Sequence, residues 1–172
     1  LYRQEAGLKG SCAHEYIAAH IVGKKPEVFD YTIREMSFAK ACLEKYIEWE
    51  TRVKPEYVFS EQSLISEKYS FGGTIDIFAI VGGSPCVLDI KTGKGVYLKT
   101  YFQLVAYKQL IMENTKYEQD AIQTAILHLN DKTAVQVYEL PKEYFECCLH
   151  SFNCLMDLHH MKLRLQDLGG LK

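Results

Sequence analysis

Residues 72–107 read GGTIDIFAIVGGSPCVLDIKTGKGVYLKTYFQLVAY, and this stretch decides the fold. Two apolar runs flank the turn sequence GGSP, which predicts a β-hairpin. Each run carries one acidic residue, Asp76 or Asp89, and Lys91 follows the second by two places. Because side chains alternate along a strand, Asp89 and Lys91 are expected on one face. Burying such charges is costly unless they pair or bind a metal, so the hairpin is predicted to build a site.

Periodicity in the rest of the chain predicts one α/β domain with a mixed central sheet flanked by helices. The elements run in the order helix, three strands, helix, two strands, helix. With 172 residues, the chain is long enough for one domain with a sizeable core. The predicted parts are N-terminal helices in 1–54, a core in 55–140 and a C-terminal helix in 141–168. Residues 1–23 are expected to form a helix, or a turn followed by a helix that Gly10-Ser11 can cap. A long helix is expected over 30–51. The last helix is expected to have a core face formed by Tyr144, Phe145, Cys148, Phe152, Leu155 and Met156.

Bulk composition excludes few functions. The formal net charge of −2 does not by itself announce a nucleic-acid partner, although an acidic metal site can mask a local basic patch. Six cysteines favour free thiols in a reducing compartment, because a chain of this size does not need disulfides. No apolar run approaches the roughly 20 residues of a membrane span, and no signal peptide is visible. The sequence begins with Leu1 rather than Met, so the presence of a preceding segment is left open.

The chemistry of the hairpin depends on its two carboxylates. Asp76 and Asp89 on neighbouring strands would repel each other unless a divalent cation neutralises them. Hard oxygen ligands favour Mg²⁺, Mn²⁺ or Ca²⁺ over soft metals. Lys91 beside them can stabilise developing negative charge or orient a water, and metal-assisted phosphodiester hydrolysis needs these parts. A salt-bridged strand pair without function is the alternative, and D-x-K by itself does not decide between them.

Four motifs in order resemble the PD-(D/E)xK nuclease superfamily, and within it the RecB-like, phage-type exonucleases. They are Gly10-Ser11-Cys12-Ala13-His14, Gly73-Thr74-Ile75-Asp76, Asp89-Ile90-Lys91-Thr92-Gly93 and Gln103-Leu104-Val105-Ala106-Tyr107. The first has serine where the family usually has threonine. The resemblance implies a restriction-endonuclease-like αβββαβ core and one or two Mg²⁺ or Mn²⁺ ions.

The resemblance also implies roles for individual residues. Asp76, Asp89 and the backbone carbonyl of Ile90 would bind the metal, and Lys91 would position the attacking water. The remaining implied site residues are His14 as a further ligand, Gln103 and Tyr107 lining the site, and Glu61 as an additional acidic ligand. For Glu61, an exposed strand glutamate is an equally good interpretation, because the alternation of its strand leaves its direction open.

Basic and aromatic residues after the D-x-K strand are candidates for DNA contact. Lys94 and Lys99 alternate with Tyr97 and Tyr101, a pattern that suits a groove combining backbone contact with base stacking. A solvated surface is the alternative interpretation of these lysines. An iron–sulfur cluster, which some relatives carry, is not expected, because Cys147, Cys148 and Cys154 lack the C-x₂-C part of its motif.

The predicted function is that of a metal-dependent DNA exonuclease acting on linear or single-stranded DNA. Recombination, repair or phage DNA processing would be its setting, in the cytoplasm of a bacterium or phage-infected cell, with an organellar location left open. Two rivals remain: a restriction-type endonuclease, and a decayed nuclease that serves as a DNA-binding or assembly module. The presence of Asp76, Asp89 and Lys91 disfavours the second. Strand polarity and oligomeric state are not predicted.

Overall fold

A computed structural model describes residues 2–167, apart from the side chains of residues 2–6, 119, 142 and 167. The helices are α1 (Tyr2–Ile21), α2 (Ile33–Val53), α3 (Leu98–Asn114) and α4 (Lys142–Asp167), and a short 3₁₀ helix spans Gln119–Ala121. The strands are β1 (Glu56–Ser66), β2 (Phe71–Val81), β3 (Ser84–Lys91), β4 (Gln123–His128) and β5 (Gln136–Glu139). The predicted limits of the domain at 1 and 172, and of the last helix at 168, lie outside the described residues.

The five strands form one mixed sheet in the order β1-β2-β3-β4-β5. β1, β2 and β3 are antiparallel neighbours, and β5 runs antiparallel to β4. β3 and β4 are parallel, so the chain must cross over between them, and α3 provides that crossover. The order from α2 to β4 is αβββαβ, which confirms the predicted α/β domain with a mixed sheet.

Helices cover both faces of this sheet, and alternate strand residues divide between two cores. Ile77 and Leu88 belong to the core that includes α1 and α2, where Tyr46 is fully buried. Phe78 and Val87 belong to the core under α3. Apolar residues on both faces explain why β2 and β3 read as nearly continuous hydrophobic runs. Because β2 and β3 are buried on both faces, ligands can reach these two strands only at their ends.

The starts of the first two helices differ in part from the prediction. α1 continues through Gly10 and Ser11, so the alternative of a turn with a helix start there is wrong and the alternative of one helix is confirmed. α2 begins at Ile33 rather than near residue 30, because Thr32 is its N-cap. The Thr32 hydroxyl accepts from the Glu35 N–H at 3.3 Å, and the Glu35 carboxylate accepts from the Thr32 N–H at 2.7 Å. This reciprocal capping box satisfies two amides that the first turn leaves without partners.

The predicted core face of α4 is only partly buried. Cys148 is buried, and the Phe152 ring packs edge-on against Phe71 with 5.1 Å between ring centres. Tyr144 and Leu155, in contrast, are 58% and 51% exposed. α4 packs on α3, which has 17 residues against the 26 of α4, so the second half of α4 extends past its partner. No helix among residues 2–167 is long and apolar enough to cross a membrane.

Gly73 brings β2 close to α3. A Cβ added there would lie 2.9 Å from Cε1 of the Tyr107 ring, closer than carbon atoms approach without displacement. We therefore expect Gly73→Ala to lower the free energy of unfolding by about 1–3 kcal/mol, because the buried ring or the strand must shift. Urea denaturation monitored by circular dichroism measures this difference.

Gly95→Ala is the matched control, since nothing lies within 4 Å of a Cβ added at Gly95. Its unfolding free energy is expected to stay within about 0.5 kcal/mol of wild type. Equal stabilities of the two variants would contradict close packing between Gly73 and Tyr107.

Candidate active site

β2 and β3 separate at the position of the two aspartates. Their paired residues end at Ile77 and Leu88, whereas β3 continues to pair with β4 as far as Lys91. At the point of separation the Ile90 N–H donates to Asp76 Oδ2 at 2.7 Å. The Asp76 carboxylate therefore accepts the hydrogen bond that a backbone carbonyl of β2 would otherwise accept from Ile90. The strands therefore open into a fork whose inner edges carry the charged residues.

The alternation of β2 is interrupted at the same place. Ile75 packs in the core under α3, whereas Ile77 packs in the core of α1 and α2, although two residues two apart normally share a face. Asp76 lies between them and is 7% exposed. The irregularity turns this carboxylate toward the mouth of the fork rather than into either core.

Four of the predicted ligands come together at the fork. His14 Nδ1 lies 3.6 Å from Asp76 Oδ1 and 3.7 Å from Glu61 Oε1. One ligand atom from each of these three residues lies within 4.8 Å of the other two. His14 Nε2 is also 3.1 Å from the Ile90 carbonyl oxygen. Two carboxylates, a carbonyl and an imidazole in one small volume are a donor set that suits a divalent cation.

Glu61 is exposed, with 39% of its side chain accessible, and it lies beside His14 at the mouth of the fork. It lies across from Asp76, between the pairs Ser60–Ile77 and Gln62–Ile75. Its φ is +50°, the left-handed region that a glutamate seldom adopts inside a strand. Such a conformation costs on the order of 1 kcal/mol and redirects the side chain. Here Glu61 lines the same cleft as His14.

Asp89 and Lys91 form the second half of the site. The Asp89 side chain is fully buried, and Lys91 Nζ lies 2.6 Å from Asp89 Oδ2 as an ion pair. Beyond this charge contact, neither Asp89 oxygen makes a well-aligned hydrogen bond. Burial raises the pKa of Asp89 from its ordinary 3.8 to about 6; Lys91 lowers it, and the charge of Asp76 raises it further. A carboxylate with unused acceptor capacity fits an additional cation.

His14 carries a positive charge at neutral pH. Burial lowers its pKa, but hydrogen bonds and charge from Asp76 and Glu61 outweigh burial and raise the pKa to about 10. The imidazolium thus supplies the cation that these carboxylates need. His14 would have to release its proton before acting as a metal ligand, so metal binding is coupled to proton release.

Gln103 and Tyr107 close the α3 side. The Gln103 amide donates to the Tyr107 hydroxyl at 2.6 Å, which confirms that the two side chains share one helix face. Burial raises the pKa of Tyr107 to about 12; the Gln103 bond lowers it, and the charges of Asp76, Asp89 and Glu61 raise it. Tyr107 is therefore a neutral hydroxyl at physiological pH.

The residues predicted to contact DNA lie in and after the loop that follows β3. Lys94, Tyr97 and Lys99 are exposed, with 58% of Tyr97 accessible. Tyr101 is half-buried and packs against the core under α3. Three of the four side chains are thus available to a ligand, and the fourth has a structural contact.

A cleft of about 600 Å³ leads to the fork, and apart from Glu61 two of its lining residues, Gly7 and Glu15, lie outside the four sequence motifs. Besides His14, Glu61, Ile90 and Lys91, it is lined by Gly7, Gly10, Ser11, Glu15, Thr92 and Gly93. A Cβ added at Gly10 would lie 3.1 Å from Thr92 Oγ1, so this glycine lets α1 approach the end of β3. Helical spacing relates the cleft-lining residues of α1, which are Gly7, Gly10, Ser11 and His14. This periodicity in the sequence could have identified the side of α1 that faces the cleft.

Residues 8–162 match the family model of the PD-(D/E)XK nuclease superfamily. The chain belongs to this superfamily. It is accordingly a hydrolytic nuclease with a nucleic-acid substrate, from a superfamily whose members use divalent metal ions. The site just described provides acidic and imidazole groups suited to such an ion.

One solved structure shows the same fold at low sequence identity, and a second is similar only in part. A candidate exonuclease from Eubacterium rectale superposes with a TM-score of 0.61 at 9% identity, over 95% of this chain and 69% of that one. The exonuclease LHK-Exo in complex with dAMP gives a TM-score of 0.38 at 11% identity, over 92% of this chain and 85% of that one. A search of curated proteins found no match. At 9% identity the first similarity concerns the fold alone, and the second carries no argument.

The buried Asp89 carboxylate leads to a prediction for stability without metal. The pKa of Asp89 is about 6 in the folded protein and 3.8 ordinarily. Ionising Asp89 therefore destabilises the folded state, and this loss of stability grows as pH rises from about 4 to 6. In metal-free protein at pH 8, Asp89→Asn should therefore raise the free energy of unfolding by roughly 1–3 kcal/mol. The gain should shrink below pH 4, where Asp89 is protonated in both states. Urea titrations in EDTA at pH 8 and pH 4 measure it.

Added Mn²⁺ should reverse the order of stability. It should raise the Tm of the wild type by binding the folded state, and do so much less in Asp89→Asn. Asp30→Asn, at an exposed loop position, is the control and should respond to Mn²⁺ as the wild type does. Equal Mn²⁺ shifts in wild type and Asp89→Asn would exclude Asp89 as a ligand.

Proposed function

We propose that this protein is a Mg²⁺- or Mn²⁺-dependent deoxyribonuclease that acts as an exonuclease on linear or single-stranded DNA. The observation that carries the proposal is the fork between β2 and β3. It combines a cluster of His14, Glu61 and Asp76 with the Ile90 carbonyl and a buried Asp89–Lys91 ion pair. Recombination, repair or phage DNA processing would be the process that it serves.

The donor set fits one or two divalent ions. Asp76, Asp89, Glu61 and the Ile90 carbonyl offer hard oxygens, and His14 offers an imidazole once it is deprotonated. A bound Mg²⁺ or Mn²⁺ would supply Lewis-acid stabilisation of the charge that develops on the scissile phosphate. The Asp89 oxygens without hydrogen-bond partners support this assignment, because a buried carboxylate needs a counter-charge on more than one side.

Lys91 is the residue that we assign to the reaction itself. Its ammonium pairs with Asp89, yet 28% of the side chain is exposed, so it remains accessible from the cleft. The ion pair with a buried partner holds the long side chain in one orientation. From there the ammonium can donate a hydrogen bond to the attacking water or to a phosphate oxygen as negative charge builds up.

Three further contacts support a DNA strand as the substrate. The neutral Tyr107 hydroxyl, held by Gln103, can donate to a phosphate oxygen at the inner side of the fork. Exposed Lys94 and Lys99 provide local positive charge on a chain whose net charge is −2, and Tyr97 offers a face for base stacking. The combination of His14 with the Gln103–Tyr107 pair is the motif set that favours exonuclease over endonuclease action.

Substrate topology tests the exonuclease assignment. End-labelled linear DNA should be degraded in the presence of Mg²⁺ and untouched in EDTA, while covalently closed circular DNA should survive under both conditions. Single- and double-stranded forms are compared by gel electrophoresis. Nicking or linearisation of closed circles would identify an endonuclease. Absence of cleavage with either metal would instead favour the DNA-binding module.

Lys91→Ala tests the site. We expect loss of at least about 10²-fold in the cleavage rate, because the variant removes a preorganised donor aimed at developing charge. The Tm should fall, because Asp89 remains buried without its partner, but the two cores do not include Lys91 and the fold should survive. Rates from single-turnover digestion and Tm from circular dichroism measure the two quantities.

Lys45→Ala is a well-matched control for this variant. Lys45 also forms an ion pair, with Glu48 at 2.7 Å, and its side chain is 29% exposed, close to the 28% of Lys91. It belongs to α2 and is not among the residues that line the cleft. Cleavage by Lys45→Ala should match the wild type. Wild-type cleavage by Lys91→Ala would overturn the assigned role.

A further inference from the structure

His128 is a buried polar residue at the end of β4 that belongs neither to the motifs nor to the lining of the cleft. It is 7% exposed. Its Nε2 lies 2.7 Å from the carbonyl oxygen of Gly93, thirty-five positions earlier in the chain. Because a carbonyl oxygen only accepts, Nε2 carries the proton and donates it in this hydrogen bond. The ring thus connects β4 to the loop after β3.

This contact extends the pairing of β3 and β4 by two residues. Lys91 is the last residue of β3 in register with β4, where His128 is its partner. The Leu129 N–H then donates to the Lys91 carbonyl at 2.8 Å. Past that bond the chain leaves the sheet, and the His128 side chain reaches Gly93. The backbone of Lys91 is thus fixed by the Leu129 bond, and the chain two residues later is fixed by His128. The Lys91 ammonium is held separately, by Asp89.

The imidazole itself has a defined orientation. Its unprotonated Nδ1 lies 3.3 Å from the side-chain amide of Gln136 on β5, and this amide can donate an N–H to Nδ1 when its oxygen and nitrogen exchange places. The Tyr138 hydroxyl also contacts the Gln136 amide, at 3.1 Å. The Tyr138 ring also packs edge-on against the imidazole, with 6.3 Å between ring centres. β5 is exposed along its length, yet these two side chains fold back to hold the ring. β5 therefore supports His128, whose ring contacts the loop after β3 at Gly93.

We propose that His128 is a positioning residue that anchors the loop of residues 92–95 and thereby fixes Lys91 for the reaction. The inference rests on the nuclease function proposed above. Lys91, Thr92 and Gly93 line the cleft, and Lys94 follows directly. Loss of the His128 donor leaves the Gly93 carbonyl without its partner and frees the loop to move away from β4. A displacement of about 1 Å at a reacting group is enough to slow a reaction substantially.

The kinetic test compares three variants. In His128→Leu we expect kcat to fall roughly tenfold with KM changed less than about threefold, since one neutral hydrogen bond that orients Lys91 is lost. His128→Gln places an amide N–H near the former Nε2 and should recover most of the rate. Thr124→Val is the control: Thr124 is buried on the same strand but is four residues before His128 and lines a different cavity, so kcat should not change.

A double-mutant cycle separates positioning from general destabilisation. If His128 acts through Lys91, adding His128→Leu to Lys91→Ala should cost less than about twofold beyond Lys91→Ala alone under single-turnover conditions. Full additivity of the two losses, or failure of His128→Gln to recover activity beyond His128→Leu, would overturn the proposal.

Amide hydrogen exchange provides a readout that is independent of cleavage. Amides of residues 92–95 should exchange at least about tenfold faster in His128→Leu than in wild type, and at wild-type rates in Thr124→Val and His128→Gln. Unchanged exchange in His128→Leu would show that His128 does not anchor the loop. If the wild type proved inactive on every substrate, the proposed function would fail, while the exchange data would still decide whether the anchor exists.

Discussion

The hydrogen bond from the Ile90 N–H to the Asp76 carboxylate is the interaction on which the rest of the site depends. It ends the ladder between β2 and β3 without leaving a buried donor unpaired, so the sheet can open between two strands that are otherwise enclosed. With the strands apart, Asp89 faces the fork, and the Ile90 carbonyl is free to contact His14. A buried sheet has few places where charged groups can reach solvent, and this fork creates one.

The fork concentrates charge in a way that favours function over stability. Asp89 is fully buried with an elevated pKa, and His14 holds a positive charge between two carboxylates. Glu61 adopts a left-handed backbone conformation in the middle of a strand. Each feature lowers the stability of the folded protein without ligands. A bound cation and a phosphate would offset this cost, because they would supply charges that complement the site. The surrounding cores must supply the stability that these residues do not.

A polar network away from the fork sets the position of His14 and Glu61, the two outer residues of the proposed metal site. His20 Nε2 lies 2.8 Å from Glu50 Oε2, and the Tyr57 hydroxyl donates to the other Glu50 oxygen at 2.5 Å. These three residues join α1, α2 and β1. His14 is on the same helix as His20, and Glu61 is on the same strand as Tyr57. The network therefore holds α1 against β1 at the distance at which His14 and Glu61 lie beside Asp76.

Sequence alone determined the hairpin, the order of helices and strands, and the placement of Asp89 and Lys91 on one strand face, because strand alternation and turn chemistry are local properties of the chain. It did not determine where α1 begins, since Gly10 acts as a close-approach residue toward a segment eighty positions away rather than as a helix start. Only the tertiary structure decided the direction of Glu61, which depends on one backbone irregularity that breaks alternation. The same holds for His128, whose partner Gly93 is adjacent in space solely because β3 and β4 are parallel. Contacts between distant segments arise from packing and register, and no short-range pattern encodes them.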